Sequence, residues 1–183
     1  MHYERRQNGE QGPCVKATLP KRFIISRIDN VSGQSEIGYE DFTKISAEVA
    51  IGDSSLIEVT FDAVGYSDHC TVYIDWNGDR DFSDPGEKIY LGNDYGGINT
   101  LKENIKVPED AILGETRMRV MIHYFPSEDP CYMGRWGETE DYTIVVKKYC
   151  QPNFTSGEEY ISKVTLHPLE SDLAILYNES SND

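Results

Sequence analysis

The run Asp75-Trp76-Asn77-Gly78-Asp79-Arg80-Asp81-Phe82-Ser83-Asp84-Pro85-Gly86-Glu87 sets oxygen-bearing side chains at alternate positions 75, 77, 79 and 81, with a glutamate to follow. A hard cation such as Ca²⁺ takes roughly six to eight oxygen ligands at about 2.3–2.6 Å. A short acidic turn can supply several of these from one bend of chain, and carboxylates this crowded repel one another unless a positive charge sits among them. Asp75, Asn77, Asp79, Asp81 and Glu87 are therefore the expected ligands of a metal loop. An all-oxygen donor set selects Ca²⁺ or Mg²⁺ over zinc, and Ca²⁺ is the expected cofactor, in a structural role. Asp84 either caps the turn or joins the ligands. The spacing is not that of an EF-hand: glycine falls at the fourth loop position instead of the sixth, and Glu87 at the thirteenth instead of the twelfth.

Three other groups of residues invite chemistry. Glu138, Glu140 and Asp141 form a second acidic group. As a carboxylate pair they would suit glycoside hydrolysis, yet nothing in the sequence marks a cleft. The competing expectation pairs Glu138 or Asp141 with Arg117 or Arg119 on a neighbouring strand. His69 precedes Cys70, but adjacent strand residues point to opposite faces, so the thiol reads as structural. The aromatic residues Trp76, Tyr90, Tyr95, Tyr124, Phe125, Tyr132 and Trp136 are candidates for a ligand surface. Tyr95, Tyr132 and above all Trp136, between Gly134-Arg135 and Gly137, are the expected exposed ones. No HExxH, GxSxG or phosphate-binding glycine loop occurs.

The elements that must carry these residues read as strands. Leu56–Phe61 alternates with Ile57, Val59 and Phe61 on one face, and Thr71–Trp76 leads straight into the acidic loop. Lys88–Leu91 follows the loop and forms a hairpin with it. Glu103–Val107 alternates and stops at Pro108. Thr116–Ile122 turns Met118, Val120 and Ile122 inward and both arginines outward. Tyr142–Val146 is the last strong strand, while Phe23–Ile25 and Glu48–Ile51 are weaker. Ala47–Ile51 and Glu109–Leu113 have room for one helical turn each. Short alternating runs between turn residues predict an all-β, two-sheet antiparallel sandwich, Ig/fibronectin-like or jelly-roll-like, with few or no helices.

A formal net charge of −15 and a pI near 4.6 leave no basic stripe to neutralise phosphates, which argues against nucleic acid and anionic membrane surfaces. No stretch of ~18 apolar residues exists, so membrane insertion is not expected. The first residues lack an apolar signal core, and the expectation is a piece of a longer exported chain. Cys14, Cys70, Cys131 and Cys150 fall in no CxxC pair and allow three complete pairings. Cys14 stands before Ile25-Ser26-Arg27-Ile28 as Cys150 stands before Ile161-Ser162-Lys163-Val164, which suggests a repeat. If each repeat closes itself, Cys14 pairs with Cys131, and Cys70 is free or pairs with Cys150.

The motifs together resemble the GEVED domain, a module of secreted bacterial proteins, from about Cys14 to Val146. Ile25-Ser26-Arg27-Ile28-Asp29-Asn30-Val31-Ser32-Gly33 follows Cys14. Gly38-Tyr39-Glu40-Asp41-Phe42-Thr43 is similar to the family's GY-x-D-[YF]-T, and Tyr73-Ile74-Asp75-Trp76-Asn77-Gly78-Asp79 to its W-I-D-x-N-x-D loop. Val107-Pro108, Gly114-Glu115-Thr116-Arg117-Met118-Arg119-Val120 and Gly137-Glu138-Thr139-Glu140-Asp141-Tyr142 resemble its VP, G-x-TRMRV and GEVEDY segments. Arg80 departs from the family's usual glycine, favoured there for a positive φ.

The resemblance implies a β-sandwich accessory module without catalysis of its own, found in exported multidomain proteins beside peptidase or glycosidase domains or in tandem. It suggests an extension over 1–13, the sandwich over 14–148, and the start of a truncated second repeat or C-terminal extension over 149–183. The expected function is a secreted or cell-surface accessory, adhesion or spacer module. Its expected partners are neighbouring domains of the parent protein and a glycan or cell-surface protein. A carbohydrate-binding module and a carboxylate-dependent hydrolase are the alternatives.

Overall fold

The computed structural model describes residues 19–26, 28–63, 66–126, 128–132, 137–150 and 163–164. The chain divides into two compact units, Met1–Tyr149 and Cys150–Asp183. The described residues of the first form nine strands: β1 Leu19–Ile25, β2 Ile28–Asn30, β3 Tyr39–Ala50, β4 Ser54–Asp62, β5 Ser67–Ile74, β6 Lys88–Tyr95, β7 Ile98–Lys106, β8 Gly114–His123 and β9 Gly137–Lys147. They form a four-stranded sheet, β2-β1-β4-β7, and a five-stranded sheet, β3-β9-β8-β5-β6. The fold is an all-β, two-sheet sandwich, and among the described residues there is no helix.

The inward alternation of the sequence is realised. Ile57, Val59 and Phe61 from β4 are fully buried, and so are Cys70, Val72 and Ile74 from β5 and Met118 from β8, with Val120 and Ile122 almost so. Tyr142, Ile144 and Val146 from β9 join the same core. Burying a side chain of this size contributes roughly 1.5–3 kcal/mol, and this shared apolar layer holds the two sheets together.

Three features differ from the expected pattern. Every pairing is antiparallel except one: β3 runs parallel to β9, with Tyr39 beside Thr139, Glu40 beside Glu140 and Asp41 beside Asp141. The strand β9 also begins at Gly137 rather than Tyr142, so the whole acidic signature is strand. Ala47–Ala50 is strand as well, not a helical turn. Gly137 opens β9 at φ +148, where a Cβ would stand 2.3 Å from the Ile122 carbonyl oxygen and 2.5 Å from His123 Nδ1. Only a residue without a side chain lets β9 lie this close to β8.

Cys14 lies outside the described residues. Cys131 is an exposed free thiol, Cys150 is exposed and free, and Cys70 is free in the core. Burial pushes the Cys70 thiol far up, as expected of an inert structural cysteine. His69, on the opposite face, contacts the Tyr90 hydroxyl at 2.7 Å.

Candidate functional site: two acidic clusters on one sheet

The first cluster hangs where β5 ends. Asp75 is buried, and its carboxylate ties down the turn: Oδ1 accepts from the Gly78 amide at 2.6 Å and Oδ2 from the Arg80 amide at 3.1 Å. Three successive side chains then bend back onto the backbone two residues on. The Asp79 amide donates to Asn77 Oδ1 at 3.0 Å, the Asp81 amide to Asp79 Oδ1 at 3.0 Å, and the Ser83 amide to Asp81 Oδ1 at 2.8 Å. Such Asx turns satisfy amides that a tight bend leaves unpaired.

Glu87 closes the loop from its far end. It is 1% exposed, and it receives the Trp76 amide on Oε1 at 2.9 Å and the Asp84 amide on Oε2 at 3.3 Å. Burial raises its pKa, those backbone hydrogen bonds pull it back, and the Asp75 charge adds to the rise. Trp76 itself is 5% exposed and packs in the core, so it is a structural residue and not part of a ligand surface.

The five residues expected to bind metal thus divide. Asp75 and Glu87 are buried clamps of the loop backbone, whereas Asn77, Asp79 and Asp81 stand at its exposed rim. Asp79, Asp81 and Asp84 each bring a carboxylate oxygen within 4.8 Å of the others. Two oxygens on one Ca²⁺ can be no more than about 5 Å apart, so this spacing fits such an ion. Asn77 Nδ2 donates to Asp79 Oδ2 at 3.0 Å and to Asp84 Oδ2 at 2.7 Å, which puts the positive end of an amide between two of the three. The hydrogen bonds from the Asp81 amide and from Asn77 hold the Asp79 carboxyl below its ordinary value. Arg80 takes φ +78, the left-handed conformation that favours glycine.

The second cluster lies in β9, and its residues face two ways. On the outer face, Asp141 is fully buried and receives Arg119 Nε at 2.7 Å and Arg119 Nη2 at 2.8 Å, Arg117 Nη1 at 2.7 Å and the Tyr39 hydroxyl at 3.1 Å. Burial alone would push this carboxyl up; the bonds and charges of Arg119 and Arg117 outweigh it and hold the pKa below the usual range. Arg119 also donates to the Pro130 carbonyl at 3.0 Å and lies over the Phe82 ring at 5.6 Å. One guanidinium therefore fastens both the loop after β8 and the acidic loop to the sheet. Of the pairings expected with Arg117 and Arg119, Asp141 makes them and Glu138 does not.

On the inner face, Glu138 and Glu140 are each 2% exposed. The Ser35 amide donates to Glu138 Oε1 at 3.0 Å. Glu140 accepts from Ser32 Oγ at 2.5 Å and from the Tyr142 hydroxyl at 2.6 Å. Burial, with a smaller push from the charges of Glu140 and Glu40, drives the Glu138 pKa up to about 7 against the Ser35 bond. Burial raises Glu140 as well. Glu138 and Asp141 point to opposite faces of β9, so they form no catalytic pair.

Glu138 lies away from the acidic loop, whereas Asp141 reaches it through Arg119, which also lies over Phe82. The Asp75 amide bonds to the Arg117 carbonyl, while Glu138 pairs with Ile122. Those positions are five residues apart on β8, about 17 Å along the strand.

Of the expected aromatic surface, Tyr95 is 70% exposed, Tyr132 is 37% exposed and packs edge-on to His123, and Trp136 lies outside the described residues. Tyr66, Tyr124 and Phe125 form a further edge-to-face group, with centroids 5.6 Å and 4.5 Å apart. By register, Tyr95 beside Ser67 and His69 beside His123 put these rings at the end of the sheet away from the acidic loop.

The profile of the GEVED domain matches residues 69–145. That segment is similar to the GEVED domain. The matched segment runs from within β5 to within β9, and so carries the acidic loop, Arg117 and Arg119, and the signature Gly137–Tyr142. No curated protein matches the chain. Among solved structures, a family 123 glycoside hydrolase from Clostridium perfringens aligns at a TM-score of 0.35 and 16% identity, covering 63% of this chain and 24% of that chain. This chain spans about a quarter of that protein's length, and a likeness at this TM-score carries no argument about fold or activity.

Proposed function

We propose that this chain is a non-catalytic accessory module of a larger exported protein, whose GEVED domain is stabilised by Ca²⁺ at the loop between β5 and β6. The observation that carries the reading is the gathering of Asp79, Asp81 and Asp84 oxygens within 4.8 Å of one another. Asp75 and Glu87 brace the loop backbone from below, and the Asx turns pre-orient the rim, so little ordering remains to be done when the ion binds. Binding stabilises the folded state by mass action, about 2.7 kcal/mol at a hundredfold excess over Kd. The extracellular setting fits such a site, since free calcium is abundant there, and an acidic surface suits a solvated module. The test is a melt with and without Ca²⁺ for the full chain and for Asp79→Asn/Asp81→Asn. The reading expects a Ca²⁺-dependent rise in Tm in the parent that shrinks in the double variant. An equal rise in both would remove the loop from the account.

A second reading, glycan binding, is favoured by the exposed rings of Tyr66, Tyr95, Phe125 and Tyr132 at one end of the sheet. Aromatic faces stack on the apolar faces of sugars. A glycan array with the full chain, repeated with Tyr95→Ala, Tyr132→Ala and Trp136→Ala, decides it. Signal lost in these variants supports the reading, and an array without signal refutes it.

A further inference from the structure

The inner face of β9 holds three carboxylates that the loop reading does not use. Glu40 and Glu140 are neighbours across the parallel β3–β9 pair. Glu138 lies two residues before Glu140 on the same face. Each of the three offers an oxygen within 4.8 Å of the other two. Glu138 and Glu140 are buried, and Glu40 is half-buried.

The neighbours of this cluster are neutral donors. Glu138 takes the Ser35 amide, and Glu140 takes the Ser32 and Tyr142 hydroxyls, the latter receiving Asn30 Nδ2 at 2.9 Å. Among the described residues, no lysine or arginine forms an ion pair with Glu40, Glu138 or Glu140. The second oxygen of Glu138, Oε2, is buried and has no hydrogen-bond partner. A buried carboxylate oxygen left without a partner is costly, more so when charged. Its companion on the same carboxylate is satisfied, and the residue faces two further acids. This combination asks for a positive ligand that accepts oxygen donors and needs none in return.

We infer that Glu40, Glu138 and Glu140 form a second site for a hard divalent cation, between β3, β9 and the segment 31–38. The ion would take Glu138 Oε2 and one oxygen each from Glu40 and Glu140. The serine and tyrosine hydroxyls hold Glu140 in place and complete its remaining hydrogen bonds, as outer partners commonly do at metal sites. The site ties the parallel edge strand β3 to the signature strand β9, and so gives the acidic pattern of Glu138 and Glu140 a structural task. It stands on residues other than the loop's and does not need the loop reading to hold.

The test counts ions. The full chain is stripped by chelation and titrated with Ca²⁺, then with Mg²⁺, by calorimetry. The same is done for Glu138→Gln, Glu40→Gln and the loop variant Asp79→Asn/Asp81→Asn, each checked for its β circular-dichroism spectrum. Glu138→Gln and Glu40→Gln are each expected to lose one ion, or to bind it at least about tenfold more weakly, while the loop variant keeps that ion. Glu40→Gln decides the matter if Glu138→Gln does not fold, because Glu40 is the least buried of the three. Wild-type stoichiometry and affinity in Glu40→Gln, or no ion left on the loop variant, overturns the second site. A loop variant that keeps the full wild-type count instead refutes the loop site, so the two failures are separable.

Discussion

Removing the charge of Asp141 is the sharpest perturbation of this domain away from the two proposed cation sites. The substitution Asp141→Asn keeps the shape and replaces one acceptor oxygen with an NH₂ that faces a guanidinium. The carboxylate is 0% exposed and receives four hydrogen bonds, two from Arg119, one from Arg117 and one from Tyr39. Breaking a buried ion pair by removing one partner costs roughly 3–5 kcal/mol. The side chains of Arg117 and Arg119 are 46% and 19% exposed, so water can take over part of their solvation. That places the expected loss at the lower end, about 3 kcal/mol. For a domain of this size, such a loss lowers Tm by about 10 °C. Urea unfolding of the full chain, with the transition midpoint and slope fitted for both proteins, measures it. Since Arg119 also holds the Pro130 carbonyl and the Phe82 ring, hydrogen exchange should rise in both loops at once. A loss below about 1 kcal/mol, the scale of an exposed ion pair, would refute the reasoning.

Gly137→Ala should destabilise by about 2–4 kcal/mol, from a strained backbone and a Cβ driven into the Ile122 carbonyl; a Tm equal to the parent's would show that β8 and β9 can part at no cost. Arg80→Gly should raise Tm by a degree or two, because relief of the left-handed conformation, about 1–2 kcal/mol, exceeds the added entropy of a glycine in the unfolded chain, about 0.4–1 kcal/mol; a lower Tm contradicts it. In chelated protein, stability should be greatest near about pH 4 and fall on either side. Asp141 has a depressed folded pKa, so its contribution is present above the unfolded value, near 3.9, and is lost as pH falls. Glu138, raised to about 7, binds more protons folded than unfolded, so stability declines as pH rises from about 4.3 towards 7. Glu138→Gln should flatten the upper slope and leave the acid limb; an unchanged upper slope assigns it to other groups.

Much of this architecture is legible in the residues. The alternation of Ile57, Val59 and Phe61, and of Met118, Val120 and Ile122, marks inward faces because a half-buried strand must repeat every second residue. The acidic loop is recognisable as a hairpin connection because oxygen-bearing side chains at every other position take the place of the carbonyl acceptors of a turn. The signature Gly137–Tyr142 is harder to read. Glutamate and aspartate are poor strand residues on average, and their sequence does not show that Ser32, Ser35 and two arginines wait across the sheet. The one available signal was phase: Glu138 and Glu140 share the parity of the apolar Tyr142, Ile144 and Val146, while Asp141 has the parity of Arg117 and Arg119. The parallel pairing of Tyr39–Asp41 with β9 was not legible, since pairing partners far apart in the chain leave no periodic trace. Trp76, one of seven aromatic candidates, belongs to the core, because the chain just past the end of β5 carries its ring inward. Asp84 joins the rim through contacts that spacing does not reveal, its amide held by Glu87 Oε2 and its carboxylate by Asn77 Nδ2.

Elemental analysis of the purified full chain, with its melt before and after chelation and after Ca²⁺ is restored, tests the central claim most directly. The account predicts bound calcium, a Tm several degrees lower once the ion is removed, and recovery on adding Ca²⁺ back. Protein shown to be free of the ion that melts at an unchanged temperature, and does not respond to added Ca²⁺, would contradict it.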